Sequence, residues 1–383
     1  MKILYIHTRY FEKGGEDVVY QNEKQLMEAS GNETKTLLFD NRKYSAVKFI
    51  LLLFNPFSFV KVYRTISKFN PQIIHVHNWY FGASPSVFIA AKIKRVPIVL
   101  TLHNFRILCP SAVFLADNKI YTHSINRTFP IQAILKKVNK NSFFFTFWLL
   151  LSTRLNHILG TWSGIDKFIC LTDYSKNILA ESYLKINKNK IIVKPNSVEE
   201  VFRDLSIRRH HHFLYVGRLT EAKGLLLILE TFKNSPYSLH IIGEGPLKPY
   251  VEKTCKENSN IKYFNFQNKQ EINIAMQKCS AVIFPSICFE PFGLVIIEAF
   301  SCSTPVIASN LGGPADLVTN GINGLHFTAD STKDLKLKLA HWVNLNSEQK
   351  SEYASNAYTT YRNNFTPKNN SYQLNTIYRS LVK

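Results

Sequence analysis

Short apolar runs, each closed by glycine, proline or a small polar cluster, alternate along the chain with longer segments whose apolar positions recur every three or four residues. Runs without polar alternation predict strands buried on both faces of a parallel sheet, and the longer periodic segments predict covering helices. The N-terminal half offers such strands at Lys2–His7, Thr36–Phe39, Ile73–His77, Pro97–His103, Lys167–Leu171 and Ile191–Val193. A second series runs through Phe213–Val216, Leu239–Ile242, Ile261–Phe264, Ala281–Phe284 and Pro305–Ala308. Between them Glu199–His212 is polar and irregular and reads as a linker. Its Arg208–His212 run offers metal ligands, but a solvated linker is the better reading. Residues 347–383 read as helical with a break at Pro367. The pattern predicts an α/β protein of two doubly wound domains, residues 1–195 and 205–365.

Ligands of open α/β sheets bind at the C-terminal ends of the strands, so the chemistry is sought in the loops that follow them. After the first strand, Gly14-Gly15-Glu16-Asp17 opens a helix with acidic residues in its first turn, and paired glycines there let a ligand approach the backbone. Ile73–His77 delivers His75 and His77 to a strand end, where they either face a ligand or cap the strand. Arg218 and Lys223 straddle the turn between Phe213–Val216 and the next helix, placed to neutralise a diphosphate, with the arginine fork matched to its oxygens. Gly243-Glu244-Gly245-Pro246 forms another glycine turn. In Ala281–Phe327 a strand ends at Pro285, a loop carries Glu290, and Phe292–Phe300 is helical in pattern. The Pro-Phe-Gly entry leaves amides for an anion. Glu298 follows Glu290 by eight residues, about 12 Å along the axis if that segment is wholly helical. Such a spacing suits opposite ends of one extended ligand, with a sugar at one carboxylate, a diphosphate at the helix start and a ribose at the other carboxylate. A nucleotide sugar has that form.

Composition narrows the class. The 383 residues suffice for two cores, and 45% hydrophobic with 19% charged residues excludes a disordered chain. Cys109, Cys170, Cys255, Cys279, Cys288 and Cys302 form no C-x-x-C pair, which argues for reduced thiols and against structural zinc. The opening residues hold too short an apolar run for a signal peptide, so a cytoplasmic location is expected. The net charge of +20 is uneven: residues 1–200 carry 27 basic against 13 acidic side chains, and the remainder 20 against 14. Such a balance suits an anionic partner, and no nucleic-acid motif accompanies it, so no nucleic acid is expected. Tyr44–Phe69 and Lys136–Arg154 interleave basic and apolar blocks too short to span a bilayer. They predict peripheral binding to the anionic inner face of a membrane, or buried helices of the N-terminal domain.

Several of these segments together resemble the retaining GT-B glycosyltransferases, in particular glycosyltransferase family 4, over nearly the whole chain. VGRLTEAKGL is similar to the family's diphosphate-binding segment, TLHNFRILCP to the strand end that lies against the donor sugar, and the whole stretch Ala281–Phe327 to its donor-binding motif. The resemblance implies a GT-B fold of two Rossmann-like domains facing a cleft, with helix 366–383 packing back on the first. It implies a catalytic set of His103, Arg218, Lys223 and Glu290. Gly15, Glu16, Gly243, Gly245, Phe292, Gly293, Leu294 and Glu298 would bind the donor. Near Asn265 the family commonly has glycine, and Asp316 stands where glutamate is frequent. No D-x-D pair occurs, so neither a metal nor another cofactor is expected. The implied partners are a nucleotide sugar, uridine being the commonest base, and a lipid-linked glycan acceptor of capsule, O-antigen or exopolysaccharide assembly. A GT-B-shaped nucleotide-sugar epimerase and a non-catalytic membrane scaffold are the alternatives.

Overall fold

Ile3 to Thr8 are buried without a break, which is why the first apolar run becomes a central strand rather than an edge. A computed structural model describes residues 1–9, 14–41, 50–139, 141–202, 207–265 and 267–382. Chain contacts divide it into two units, Met1–Asn196 with Pro367–Lys383, and Ser197–Thr366.

The first unit runs β1 (Lys2–Arg9), α1 (Gly15–Ala29), β2 (Glu33–Asp40), α2 (Pro56–Phe69), β3 (Ile73–Val76), α3 (Ser86–Ile93) and β4 (Ile98–Thr101). A small hairpin of β5 (Leu115–Ala116) and β6 (Lys119–Ile120) follows, then α4 (Ile131–Leu135), α5 (Phe143–Ile158), β7 (Lys167–Cys170), α6 (Asp173–Ala180) and β8 (Ile191–Val193). Its parallel sheet has the order β2-β1-β3-β4-β7-β8. The Asn55-Pro56 break is the start of α2: Asn55 Oδ1 accepts from the Phe57 and Ser58 amides, and Pro56 needs no partner in the first turn. Residues 44–49 of the basic, aromatic stretch lie outside the described residues.

The second unit runs β9 (His212–Val216), α7 (Leu225–Phe232), β10 (Ser238–Ile242), α8 (Lys248–Glu257), β11 (Ile261–Phe264), α9 (Lys269–Lys278) and β12 (Ala281–Phe284). It continues with α10 (Leu294–Ser301), β13 (Val306–Ser309), α11 (Gly313–Leu317), β14 (Gly324–Phe327), α12 (Thr332–Asn344) and α13 (Ser347–Asn364). The order of this second parallel sheet is β11-β10-β9-β12-β13-β14. The last helix, α14 (Pro367–Arg379), belongs to the first unit, where Leu374, Ile377 and Tyr378 join Ile3, Tyr5 and Met27 in one core cluster.

Three expectations change. Helix α10 begins at Leu294 rather than Phe292; Glu290 lies in a loop, as expected, and the spacing that a wholly helical segment would give the two carboxylates does not apply. Arg209 is not solvated linker: its guanidinium donates to the carbonyls of Cys279 and Ser303 and to Thr304 Oγ1, collecting acceptors that the ends of α9 and α10 leave open. Residues 203–206 of the linker lie outside the described residues. Helix α5 is neither a plain core helix nor polar outside. It buries Thr146, Ser152, Thr153 and Asn156 beside Leu149 and Leu150, while Phe143 and Phe144 are each 54% exposed. The inward polar groups are satisfied locally, Ser152 Oγ by the Leu52 carbonyl (2.8 Å) and Thr146 Oγ1 by the Asn139 amide (3.0 Å).

Candidate active site

In each sheet the strand order reverses at one place, between β1 and β3 in the first unit and between β9 and β12 in the second. Loops leaving the C-terminal ends of two such strands diverge and leave a crevice. In the second unit they carry Arg218 and Lys223 after β9 and Glu290 after β12. Lys223 Nζ lies 2.6 Å from Glu290 Oε2, so one ion pair spans the switch point. The other carboxylate oxygen, Oε1, is buried with no hydrogen-bond partner, an acceptor that a ligand hydroxyl would satisfy. Arg218 is exposed and forms no ion pair among the described residues. Its carbonyl accepts from the hydroxyl of buried Tyr215 (2.7 Å), which anchors the loop. Burial, reinforced by the charge of Glu290, raises the Tyr215 pKa and keeps that hydroxyl a donor.

The two loops are tied together by backbone. Gly224, at φ +71°, ends the turn behind Lys223, and a Cβ there would sit 1.8 Å from the Pro285 carbonyl oxygen. The Ile287 amide donates to Ala222 O (3.1 Å), and the Gly313 amide donates to Glu290 O (2.7 Å), so α11 holds the Glu290 backbone from behind. At the predicted donor residues Gly243 and Gly245 a Cβ would meet the carbonyl oxygens of Gly217 (1.9 Å) and Leu219 (2.6 Å), so the close packing of this turn requires glycine at both. Gly293 and buried Phe292 form the entry to α10, and half-buried Leu294 is its first residue. The ring of Phe292 packs edge-on against Phe365. Glu298, on α10, is paired with Lys269 at the start of α9, a partner that no spacing in the sequence indicates.

The switch point of the first unit is filled with side chains. Gly14 precedes α1, and its amide donates to Asp17 Oδ2 (2.9 Å), while Asp17 Oδ1 meets His7 Nε2 at 2.8 Å. Gly15 begins α1, and Glu16 accepts from Asn78 Nδ2 at 2.8 Å. Behind them lies a buried network in which Glu23 Oε1 is 2.5 Å from Lys194 Nζ and Glu23 Oε2 is 3.6 Å from His77 Nε2. His77 Nδ1 is 3.0 Å from Nε2 of His103, the predicted catalytic histidine. His75 is a strand residue held between Tyr378 Oη (2.6 Å) and Thr101 Oγ1 (2.7 Å), so it faces core rather than ligand. Burial penalises charge on the three histidines. It drives His75 and His77 well below the usual histidine pKa and His103 to about 4, leaving neutral rings. Burial also opposes ionisation of Glu23, but Lys194 and the imidazoles outweigh it and hold the carboxyl below its usual pKa. Ligand-type atoms of Glu23, His75 and His77 lie within 4.8 Å of one another. The arrangement does not suit a metal ion: Lys194 already occupies the carboxylate, and both ring nitrogens of His75 are engaged. His77 and half-buried His103 border a cavity of about 20 Å³, room for one water.

Two parallel six-stranded sheets, each with one switch point, are the GT-B architecture. Over 99% of its length the chain superimposes on the whole of HepE from Anabaena, solved in complex with UDP, with a TM-score of 0.73 and 18% identity. Residues 197–360 match the family "Glycosyl transferases group 1" and residues 28–201 match "Glycosyltransferase Family 4". The chain is 27% identical over 323 residues to the uncharacterized glycosyltransferase MJ1178 of Methanocaldococcus jannaschii, covering 82% of this chain and 77% of that one. It is 26% identical to O-antigen chain mannosyltransferase C of Escherichia coli, over 51% of this chain and 57% of that one. The chain belongs to the family 4 glycosyltransferases.

Proposed function

We propose that the chain moves a sugar from a UDP-sugar to a hydroxyl of a lipid-linked glycan, with retention at the anomeric carbon and without a metal on the diphosphate. The product would be a surface polysaccharide precursor, of capsule, O-antigen or exopolysaccharide type. The observation that carries this reading is the Lys223–Glu290 pair across the second switch point, with an unsatisfied carboxylate oxygen beside it and Arg218 on the same loop. Arg218, Lys223 and the amides at Gly293 stabilise the leaving diphosphate. Glu290 holds sugar hydroxyls and Glu298 exchanges Lys269 for the ribose, while His103 is assigned to the transferred sugar. UDP as the nucleotide is supported by the HepE complex, and surface polysaccharide by the O-antigen relative.

A membrane-borne acceptor is supported by the first unit. Between Asp40 and Asp166 the chain has 16 lysines and arginines and one acid, Asp117. On α5, Phe144, Trp148, Leu151, Leu155 and Ile158 recur at helical spacing along the partly or largely exposed side. Among the described residues no helix is long and apolar enough to cross a membrane. The stripe lies in the interface of an anionic bilayer, with exposed Lys136 and Lys137 toward the headgroups.

The test is incubation with UDP-sugars and a polyprenyl-diphosphate-linked glycan, with and without EDTA, followed by mass spectrometry and anomeric NMR of the product. Transfer with retention that survives EDTA is expected. Conversion of one UDP-sugar to another without transfer would make the chain an epimerase, and no turnover with any donor would leave a scaffold.

A further inference from the structure

Glu23 Oε2 and His77 Nε2 are both buried, both lack a hydrogen-bond partner and face each other at 3.6 Å. A neutral imidazole carries one ring proton, and its position on His77 decides what His103 presents. With the proton on Nδ1, His77 would aim a lone pair at an ionised carboxylate, two buried atoms left unsatisfied against each other. With the proton on Nε2, a donor faces the carboxylate across 3.6 Å, an attractive contact that becomes a hydrogen bond when the gap closes by a few tenths of an ångström. His77 Nδ1 then accepts, so the proton of His103 is on Nε2, directed at His77, and its Nδ1 carries the lone pair.

We propose that Glu23, acting through His77, is a positioning residue that fixes His103 as the Nε2–H tautomer, making its Nδ1 a hydrogen-bond acceptor for a hydroxyl of the bound sugar. Lys194 is the fourth member. Its contact on Glu23 Oε1 keeps the carboxylate ionised and turns the other oxygen to His77. The depressed pKa of both histidines agrees, since a neutral ring is required at each position. The assignment of the acceptor to a sugar hydroxyl rests on the proposed function. The tautomer does not.

The experiment separates the two. Nitrogen NMR of the full chain labelled in histidine, with His103 assigned by its loss in His103→Gln, reads which ring nitrogen is protonated. Wild type is expected to show His103 protonated at Nε2. In Glu23→Gln the amide donates to His77 Nε2, the chain of donors reverses, and His103 becomes protonated at Nδ1. Should that variant not fold, Glu23→Leu with Lys194→Met removes both charges and the acceptor, and His103 should pass from one fixed tautomer to a mixture. Kinetics form the second arm: with His103 converted to a donor, the sugar hydroxyl must turn to accept and its own proton loses its acceptor, so KM for the UDP-sugar rises about tenfold while the affinity for UDP alone stays unchanged. His103 protonated at Nδ1 in wild type, or an unchanged tautomer in the folded variants, would overturn the proposal. If wild type binds no UDP but shows the predicted tautomer and reversal, the donor reading has failed and the relay stands.

Discussion

The two switch points have the same architecture and opposite contents. In the second unit the crevice between the β9 and β12 loops holds a partly exposed Lys223–Glu290 pair and an exposed Arg218, groups that a ligand can re-pair. In the first unit the equivalent place between β1 and β3 is filled by His7, Asp17, Glu23, His77 and Lys194, which pair with one another. A Rossmann-like sheet therefore supplies a place for a ligand, and side chains decide whether it stays available. Substitutions at the sealed point should act first on folding, and on the sugar only through His103. At the open one they should act on ligand affinity.

The largest effect is expected at the Glu23–Lys194 pair. Lys194→Met leaves a buried carboxylate unpaired and should cost about 3–5 kcal/mol in urea unfolding, whereas Glu23→Leu with Lys194→Met should return to near wild-type stability. Equal loss in the single and double variants would show that the pair is not the cause. Acid should act in the same place. His75, His77 and His103 are held below their unfolded pKa of 6.5 by burial, so the unfolded chain takes up protons first. Stability is full above about pH 6.5 and falls toward pH 4, where His103 titrates. A midpoint in urea that is flat across that window would contradict the buried neutral rings.

At the open switch point, Arg218→Ala should weaken UDP binding roughly 10- to 100-fold, the worth of a charge-assisted hydrogen bond, while shifting unfolding by no more than ~0.5 kcal/mol. A destabilised variant with unchanged affinity would make Arg218 structural. The smallest change in stability is expected on α5, where Phe144→Ser should stay within ~0.5 kcal/mol because the ring is largely exposed. The same variant should lose binding to phosphatidylglycerol vesicles in a sedimentation assay. Stability lost with vesicle binding intact would place that face inside the protein's own core.

What could be read from the sequence follows the same division. Strands such as Ala281–Phe284 declare themselves because both faces are apolar, and the Arg218–Lys223 loop is legible because its chemistry lies within a few residues. Glu23 and Lys194 are 171 residues apart and each looks like a surface charge; only the packing of α1 against the sheet and the turn after β8 brings them together. Lys269 on Glu298 is hidden for the same reason. Helix α5 misleads in another way, since periodicity reports two faces but not which one turns inward, and Leu52 and Asn139 decide that by offering partners to polar side chains. At α10, glycine and proline announce the turn yet leave the first helical residue open by two positions.

Hydrogen–deuterium exchange on the full chain with and without UDP tests the central claim most directly, because it reports both switch points in one sample. The account predicts slowed exchange in residues 217–224 and 286–298, with β1 and β3 unchanged and the protection abolished in Arg218→Ala. UDP binding that leaves 217–224 and 286–298 unprotected would contradict it.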